Sequence, residues 1–153
     1  MTISEMLTRL QAFDIYSEAA DVLLDNEQEI LELNKEQLMN GVDKENVKLR
    51  DYHFAWYADF KSRLNSKGVT DLKVTGAFHN GFAISLVGNN KYQIFSRDSK
   101  NNMLVNGWTG KSGVSVPGYG QKIFGLTDES VRLARERFFN NGMAAKLAEK
   151  VFG

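Results

Sequence analysis

The stretch that decides the fold runs from Val74 to Leu126 and begins Val74-Thr75-Gly76-Ala77-Phe78. Two runs within it alternate as half-buried strands do, Phe82 to Val87 and Tyr92 to Ser96, and they are joined by the turn-forming sequence Gly-Asn-Asn. A glycine-rich tract from Gly107 to Gly120 follows. The pattern predicts a small antiparallel sheet and then a long loop, with charged, helix-like sequence on both sides.

The glycine-rich tract contains Gly110-Lys111-Ser112, which resembles the end of a phosphate-binding loop. The glycine that such a loop needs five places earlier is Val105 here. The segment from Gly113 to Pro117 cannot open a helix that would bind phosphate at its N-terminus. We therefore predict no nucleotide site, and we interpret residues 107–120 as an extended loop that is functional or mobile.

Before this stretch, the sequence predicts a helical arm over residues 1–40. Thr2 and Glu5 have the spacing of a capping box, and Gly41 suits the left-handed position after a helix. Apolar residues recur at steps of three and four through the arm. Either one long helix or two helices joined near Asp25 would satisfy this pattern, and the opposite face is rich in Glu and Asp.

A polar turn over residues 42–46 and a short strand-like run, Val47 to Leu49, lead to a second, aromatic-rich helix that Asp51 can cap. Four large residues recur in steps of four: Tyr52, Trp56, Phe60 and Leu64. Aromatic residues can stack on nucleic-acid bases, but the helical spacing favours packing in the core. Residues 65–68 would stop this helix.

Further elements complete the expected α+β domain. Leu72 to Thr75 alternates as a strand does, and Asp98 can cap a short helix through Val105. Thr127 can cap a C-terminal helix over residues 127–151, with a break or kink expected at Asn140 to Gly142. We predict one domain over residues 1–153, divided into the arm (1–40), a helix plus small sheet (42–106), the loop (107–120) and the last helix.

Composition excludes several classes of function. The chain of 153 residues has no cysteine, so disulfides, thiolate zinc sites and cysteine nucleophiles are impossible. His53 and His79 are the only histidines, no Gly-x-Ser-x-Gly motif occurs, and no titratable residues pair convincingly. We expect no cofactor, no metal and no catalytic site. The first residues lack the features of a signal peptide and no run is long enough to span a bilayer, so we expect a soluble protein made in a reducing cytoplasm.

Charge is unevenly distributed along the chain. Residues 1–50 hold eleven acidic and five basic residues, residues 51–125 hold four and nine, and residues 126–153 hold four and five, which gives −6, +5 and +1. This polarity is either a solvated surface or a sign that an acidic region meets a basic one, within a subunit or between subunits. A net charge of zero argues against a general nucleic-acid binder.

Several motifs, in this order, resemble a family of small virion proteins of tailed bacteriophages, especially phages of gut anaerobes. The motifs are Asn34-x-x-Gln37-Leu38-x-x-Gly41-x-Asp43, Tyr52 with Lys61 and Gly68, Thr75-Gly76-x-Phe78, Ser96-x-Asp98-x-Lys100, and Ile123-Phe124-Gly125-Leu126-Thr127. The layout is more distantly similar to that of neck or tail-completion proteins. The insert from Trp108 to Tyr119 departs from the family pattern.

This resemblance implies a non-enzymatic, structural subunit of a ring, six-fold or twelve-fold, in the head-tail connector of a virion. Portal, adaptor or tail proteins would be its neighbours, with possible contact to channel DNA and none to membrane. We expect intersubunit or inter-ring contacts from the loop and from the acidic face of the first helix, and we expect cationic residues to face an acidic partner or DNA. The candidate contact residues are Trp108, Lys111, Val114, Val116, Tyr119, Glu27, Glu32, Arg97 and Lys100. The alternative is a soluble cytosolic binding module, with nucleic acid as one candidate partner.

Overall fold

The computed structural model describes residues 1–64, 69–73, 75–88 and 91–153 and has α+β architecture, as predicted. The first half of the chain forms helices α1 (Ile3–Ala12), α2 (Ile15–Asp25), α3 (Glu27–Met39) and α4 (Ala55–Leu64). A short helix α5 (Ala77–Asn80) precedes the antiparallel strands β1 (Phe82–Leu86) and β2 (Tyr92–Ser96). The predicted hairpin is confirmed in its strands. The turn residues Asn89 and Asn90, the helix stop at residues 65–68 and Val74 lie outside the described residues.

The second half begins with α6 (Asn101–Asn106), which confirms the short helix expected there, although its N-cap position is Lys100 and not Asp98. A second antiparallel pair follows, β3 (Gly107–Thr109) and β4 (Ser115–Pro117), and then a single 3₁₀ turn (Gln121–Ile123). The chain ends in α7 (Asp128–Ala134), a π-helical segment (Arg135–Phe139) and α8 (Asn140–Lys150).

The core is built mainly from α3, α5, β1 and the segment around Phe124. Leu31, Leu38 and Ile123 are fully buried. Three phenylalanine rings, Phe78, Phe82 and Phe124, have centroids 5.3–5.9 Å apart in edge-on or tilted pairs, which are favourable ring geometries. The segment from Phe78 to Phe124 therefore supplies much of the core, with α3 packed across it.

The helical arm contains three helices instead of one or two. The junction expected near Asp25 is confirmed at Asn26, but the chain also breaks at Phe13, where the Asp14 carboxylate caps α2 by accepting from the backbone N–H groups of Tyr16 and Ser17. A local side-chain cap thus interrupts an apolar pattern that continues across it. The Thr2–Glu5 capping box and the left-handed Gly41 (φ +76°) are confirmed.

The prediction that the aromatic stripe of α4 packs in the core is wrong. Trp56 is 69% exposed, and Phe60 and Leu64 are exposed as well. The helix begins at Ala55, so Asp51 does not cap it. In the ten residues of α4, all of which are described, Lys61 alone is buried. Helical spacing correctly predicted a common face, but the body of the protein lies against another face of this helix.

Two short predicted strands are also absent from the described residues. Leu72, Lys73 and Thr75 lie outside any strand, and Leu72 adopts a positive φ of +57°, which is incompatible with extended backbone. Val47 to Leu49 contributes only an isolated bridge, between Val42 and Lys48.

The last helix differs from its prediction in where it is irregular. Thr127 caps α7 as expected, accepting from the N–H of Ser130. The helix continues through Asn140 to Gly142 without the predicted break, and the π-helical segment lies just before it. A Cβ at Gly142 would lie 2.6 Å from Cγ1 of Val22. Gly142 therefore lets α8 approach α2 closely, which is a packing role.

Candidate interaction surface

Asn34 and Gln37 of α3 hold the backbone that follows the 3₁₀ turn, and we call this pair the amide clamp. Asn34 Nδ2 donates to the carbonyl of Ile123 (3.0 Å), and its Oδ1 accepts from the N–H of Gly125 (2.9 Å). Gln37 Nε2 donates to the carbonyl of Gly125 (2.9 Å), and its Oε1 accepts from Thr127 (2.9 Å). Both amides are buried, so their full hydrogen bonding is a condition of stability.

A buried ion pair fixes α4 to the segment after it. Lys61 Nζ lies 2.8 Å from Asp71 Oδ1, with side chains only 3% and 4% exposed, and it also donates to the carbonyl of Lys73. Tyr52 Oη accepts from the N–H of Leu72 (3.2 Å), and the Tyr52 ring lies 5.7 Å from Lys61 Nζ. Burial raises the pKa of the Tyr52 hydroxyl above its usual range, so this phenol stays protonated.

His79 joins the same cluster through its ring nitrogen. Nε2 lies 2.8 Å from the carbonyl oxygen of Asp71, and burial lowers the pKa of the imidazole. Burial favours a neutral imidazole, which donates its Nε2 proton to this carbonyl, so His79 has a structural role. Lys61, Asp71 and His79 are each less than 5% exposed. A substrate would not reach these groups, so the cluster holds the fold together and offers no surface for chemistry.

The family-like motifs thus carry structural roles wherever their contacts are described. The amide clamp and the Ile-Phe-Gly-Leu-Thr segment contact each other, and Ser96 Oγ donates to the carbonyl of Phe78 (2.7 Å). Asp43 Oδ1 accepts from the N–H groups of Glu45 and Val47 and closes the polar turn. Sequence reasoning quoted most of these residues but did not assign them to one another, and it missed Asp71.

Residues 107–120 were predicted to form a loop without regular structure, and this was wrong. The strands β3 and β4 form a short hairpin here, with Trp108 opposite Val116. Arg50 Nη1 donates to the carbonyl of Gly118 (2.8 Å) and Nη2 to that of Pro117. The N–H of Tyr119 donates to the carbonyl of Leu104 (2.7 Å). Contacts within the chain therefore hold this segment against the rest of the protein.

The five candidate contact residues of this hairpin differ in exposure. Trp108, Lys111 and Val114 are exposed, whereas Val116 and Tyr119 are partly buried. The Arg50 guanidinium lies 4.1 Å from the centroid of the Tyr119 ring, a cation–π distance. Trp108, Lys111 and Val114 are therefore available to a partner, and Tyr119 is largely engaged within its own chain.

The other four candidates are divided in the same way. Glu27 Oε1 accepts from the N–H of Ile84 (3.1 Å), which covers the outer edge of β1, while Glu32 is exposed and paired with Lys35 (2.9 Å). Arg97 is exposed, and Lys100 Nζ lies 3.1 Å from Asp98 Oδ1. The structure does not bring these four together with the hairpin residues in any described contact.

Two helices, α1 and α4, expose rows of apolar residues. All ten residues of α1 are described and none is buried; Ile3 is 76% exposed, and Leu7 and Leu10 are about half exposed. On α4, the exposed residues are Trp56, Phe60 and Leu64. We call these the α1 face and the α4 face. The sequence indicated both faces by the helical periodicity of their apolar residues, but periodicity does not show what covers a face.

Two open grooves lie on the described surface. One, of about 840 Å³, lies between the end of α3 and the start of α7 and is lined by polar residues such as Glu36, Lys44 and Glu129. The other, of about 400 Å³, lies beside β2 and is mostly apolar. Among residues 1–64, 69–73, 75–88 and 91–153, no cluster of His, Asp or Glu is arranged to hold a metal ion.

Comparison with known proteins adds no relative: no protein-family model, curated protein or solved structure matches the chain. Across the part of the chain that the structure describes, no helix has the length and apolar character needed to cross a membrane.

Proposed function

We propose that this protein is a structural, non-enzymatic subunit of a homo-oligomeric ring in the head-tail connector of a tailed phage. Its neighbours in this proposal are portal, adaptor or tail proteins of the same virion. The resemblance of its motifs suggests this assignment, and the α1 face is the observation that carries it.

A helix as short as α1 needs a surface to pack against. Isolated helices of fewer than about 12–15 residues are marginal in water, and α1 spans ten residues, none of them buried. Yet the sequence specifies the helix, with a complete capping box at Thr2 and Glu5 and an apolar stripe through Leu7. A neighbouring subunit that packs on this stripe would supply the missing stabilisation.

A contact between α1 and a different surface of the next subunit is heterologous, and such contacts close into rings when the rotation permits. The excess of acidic residues in the first 50 positions, against an excess of basic ones in the following 75, suits contacts between unlike surfaces. Exposed Trp108, Lys111 and Val114 on the hairpin extend the available surface, and Arg97 and Lys100 are the cations we propose to face an acidic partner or channel DNA.

The test is the assembly state of the full chain, by size-exclusion chromatography with light scattering and by negative-stain imaging. We expect a ring of six or twelve copies. The triple variant Ile3→Gln, Leu7→Gln, Leu10→Gln should lose the ring while keeping the circular dichroism of the folded body. The matched control is Ser4→Ala, Thr8→Ala, Gln11→Ala, which changes the polar side of the same helix and should keep the ring.

A protein that stays monomeric at every concentration would overturn the ring, and salt-sensitive nucleic-acid binding by that monomer would support the alternative of a binding module. Deletion of residues 109–118 tests the hairpin separately. If the ring and virion assembly survive that deletion, the hairpin has no role in assembly. Mass spectrometry of purified virions tests the proposed location.

A further inference from the structure

We propose that the α4 face pairs with the α4 face of a second copy, antiparallel and about a twofold axis that passes beside Phe60. This contact is separate from the proposed ring. It starts from three residues of one helix, Trp56, Phe60 and Leu64, which remain 69%, 43% and 56% exposed although neighbouring rings of Phe54 and Tyr57 contact the first two.

The spacing of the three residues makes the face complementary to itself. Positions 56, 60 and 64 lie four apart, so a twofold axis at position 60 places Trp56 against the partner's Leu64 and Phe60 against the partner's Phe60. A large ring then meets a smaller aliphatic side chain at both ends of the contact.

The charges beside the face select the antiparallel orientation. Asp59 and Arg63 each precede a residue of the apolar row, so both lie about 100° around the helix from it, on one flank. In an antiparallel pair, equivalent flanks face each other. Asp59 then lies near the partner's Arg63, offset by about 3 Å along the axis, and the symmetry repeats this ion pair. The two Asp59 carboxylates have the same axial offset, so two attractive contacts outweigh one repulsive contact.

These two side chains are free to take new partners. Their side chains are 67% and 76% exposed, and within the chain they pair only with each other in the described contacts, at 3.1 Å. An exposed pair one turn apart contributes little to stability, so exchanging it for two pairs between subunits costs little. On the other flank of the apolar row, Lys61 is buried against Asp71, so that flank cannot supply an ion pair to a second copy.

The contact is small. One exposed row on a ten-residue helix covers less than the roughly 800 Å² per partner of a standard interface, so we expect a dimer that dissociates on dilution. In such a monomer–dimer equilibrium, the α4 faces of free subunits would be covered only in the dimer.

The test uses the full chain with Ile3→Gln, Leu7→Gln, Leu10→Gln, which removes the α1 face and with it the proposed ring. Sedimentation velocity over about a hundredfold range of concentration should show a monomer–dimer equilibrium. Adding Phe60→Asp should weaken the dimer at least about tenfold, because it places two carboxylates at the twofold axis. Leu24→Asp, at an exposed leucine of α2, is the control that should leave the dimer unchanged.

Charge exchange between chains is the decisive measurement. Asp59→Arg makes the flank wholly positive and Arg63→Asp makes it wholly negative, so each variant alone should be monomeric. Mixed together, they should form a heterodimer, which an ion pair within one helix cannot explain. A monomer at all concentrations, or variants that dimerise alone as well as in the mixture, would overturn the proposal. A variant that loses the ring but keeps this dimer, or one that loses the dimer but keeps the ring, would show that the two contacts are independent. Each proposal can therefore fail without the other.

Discussion

Helices α1 and α3 show opposite relations between pattern and burial. Helix α1 carries a clean apolar stripe and a complete capping box, yet none of its residues is buried. Helix α3 has a poorer apolar pattern, interrupted by Asn34 and Gln37, yet six of its residues are buried, including both amides. A periodic face therefore shows that something can pack there, while burial depends on which surface the rest of the chain brings to it.

The largest expected contrast comes from removing one leucine from each helix. Leu38→Ala removes a fully buried side chain of α3 and should lower the free energy of unfolding by about 4 kcal/mol, through lost burial and the cavity left behind. Leu7→Ala, at a half-exposed position of α1, should change it by less than about 0.5 kcal/mol in the monomer. Urea denaturation measures both, and equal losses would show that α1 is packed within its own subunit.

The amide clamp provides the next contrast, this time within α3. Asn34→Ala leaves the carbonyl of Ile123 and the N–H of Gly125 buried without partners, so we expect a loss of about 3 kcal/mol. Gln28→Ala, on the exposed side of the same helix, should cost less than about 0.5 kcal/mol. If the two variants unfold at the same urea concentration, the clamp does not hold the segment from Ile123 to Thr127.

The smallest effect is a pH dependence confined to α1. Hydrogen bonds from the Thr2 backbone and side chain lower the pKa of Glu5, so the charged carboxylate stabilises the start of the helix. This stabilisation is present above the ordinary pKa of a glutamate and is lost as the pH falls through the lowered pKa of Glu5 in the folded protein, where the carboxylate gains a proton. NMR secondary shifts of α1 should therefore fall on acidification while those of α3 stay constant. Glu5→Gln should reduce the change in α1, and an unchanged pH profile would contradict this assignment.

Local signals predicted local structure well. The caps at Thr2 and Thr127, the left-handed Gly41, and the hairpin of β1 and β2 depend on a few neighbouring residues, and each is confirmed. The break at Asp14 had a local signal too, because aspartate is among the strongest N-caps. The apolar pattern that continues across Asp14 concealed that break.

The misjudged regions are those in which distant residues decide the structure. The hairpin of β3 and β4 is held by Arg50, more than 50 residues earlier, so its glycines alone suggested an open loop. The burial of Lys61 depends on Asp71 and on the carbonyl of Lys73, and no pattern within α4 indicates an ion pair. For the same reason, the sequence placed an aromatic stripe in the core that the fold leaves exposed.

By itself, the sequence determined the α+β class, the positions of most helices, and the absence of any disulfide, because these follow from periodicity, capping and composition. Only the tertiary structure decided which faces are covered. Burial is a property of pairs of distant surfaces, so the amide clamp and the buried Lys61 emerge only when α3, α4 and the segments they contact come together. The same assembly leaves the α1 and α4 faces open, and these faces carry both proposals for what the protein binds.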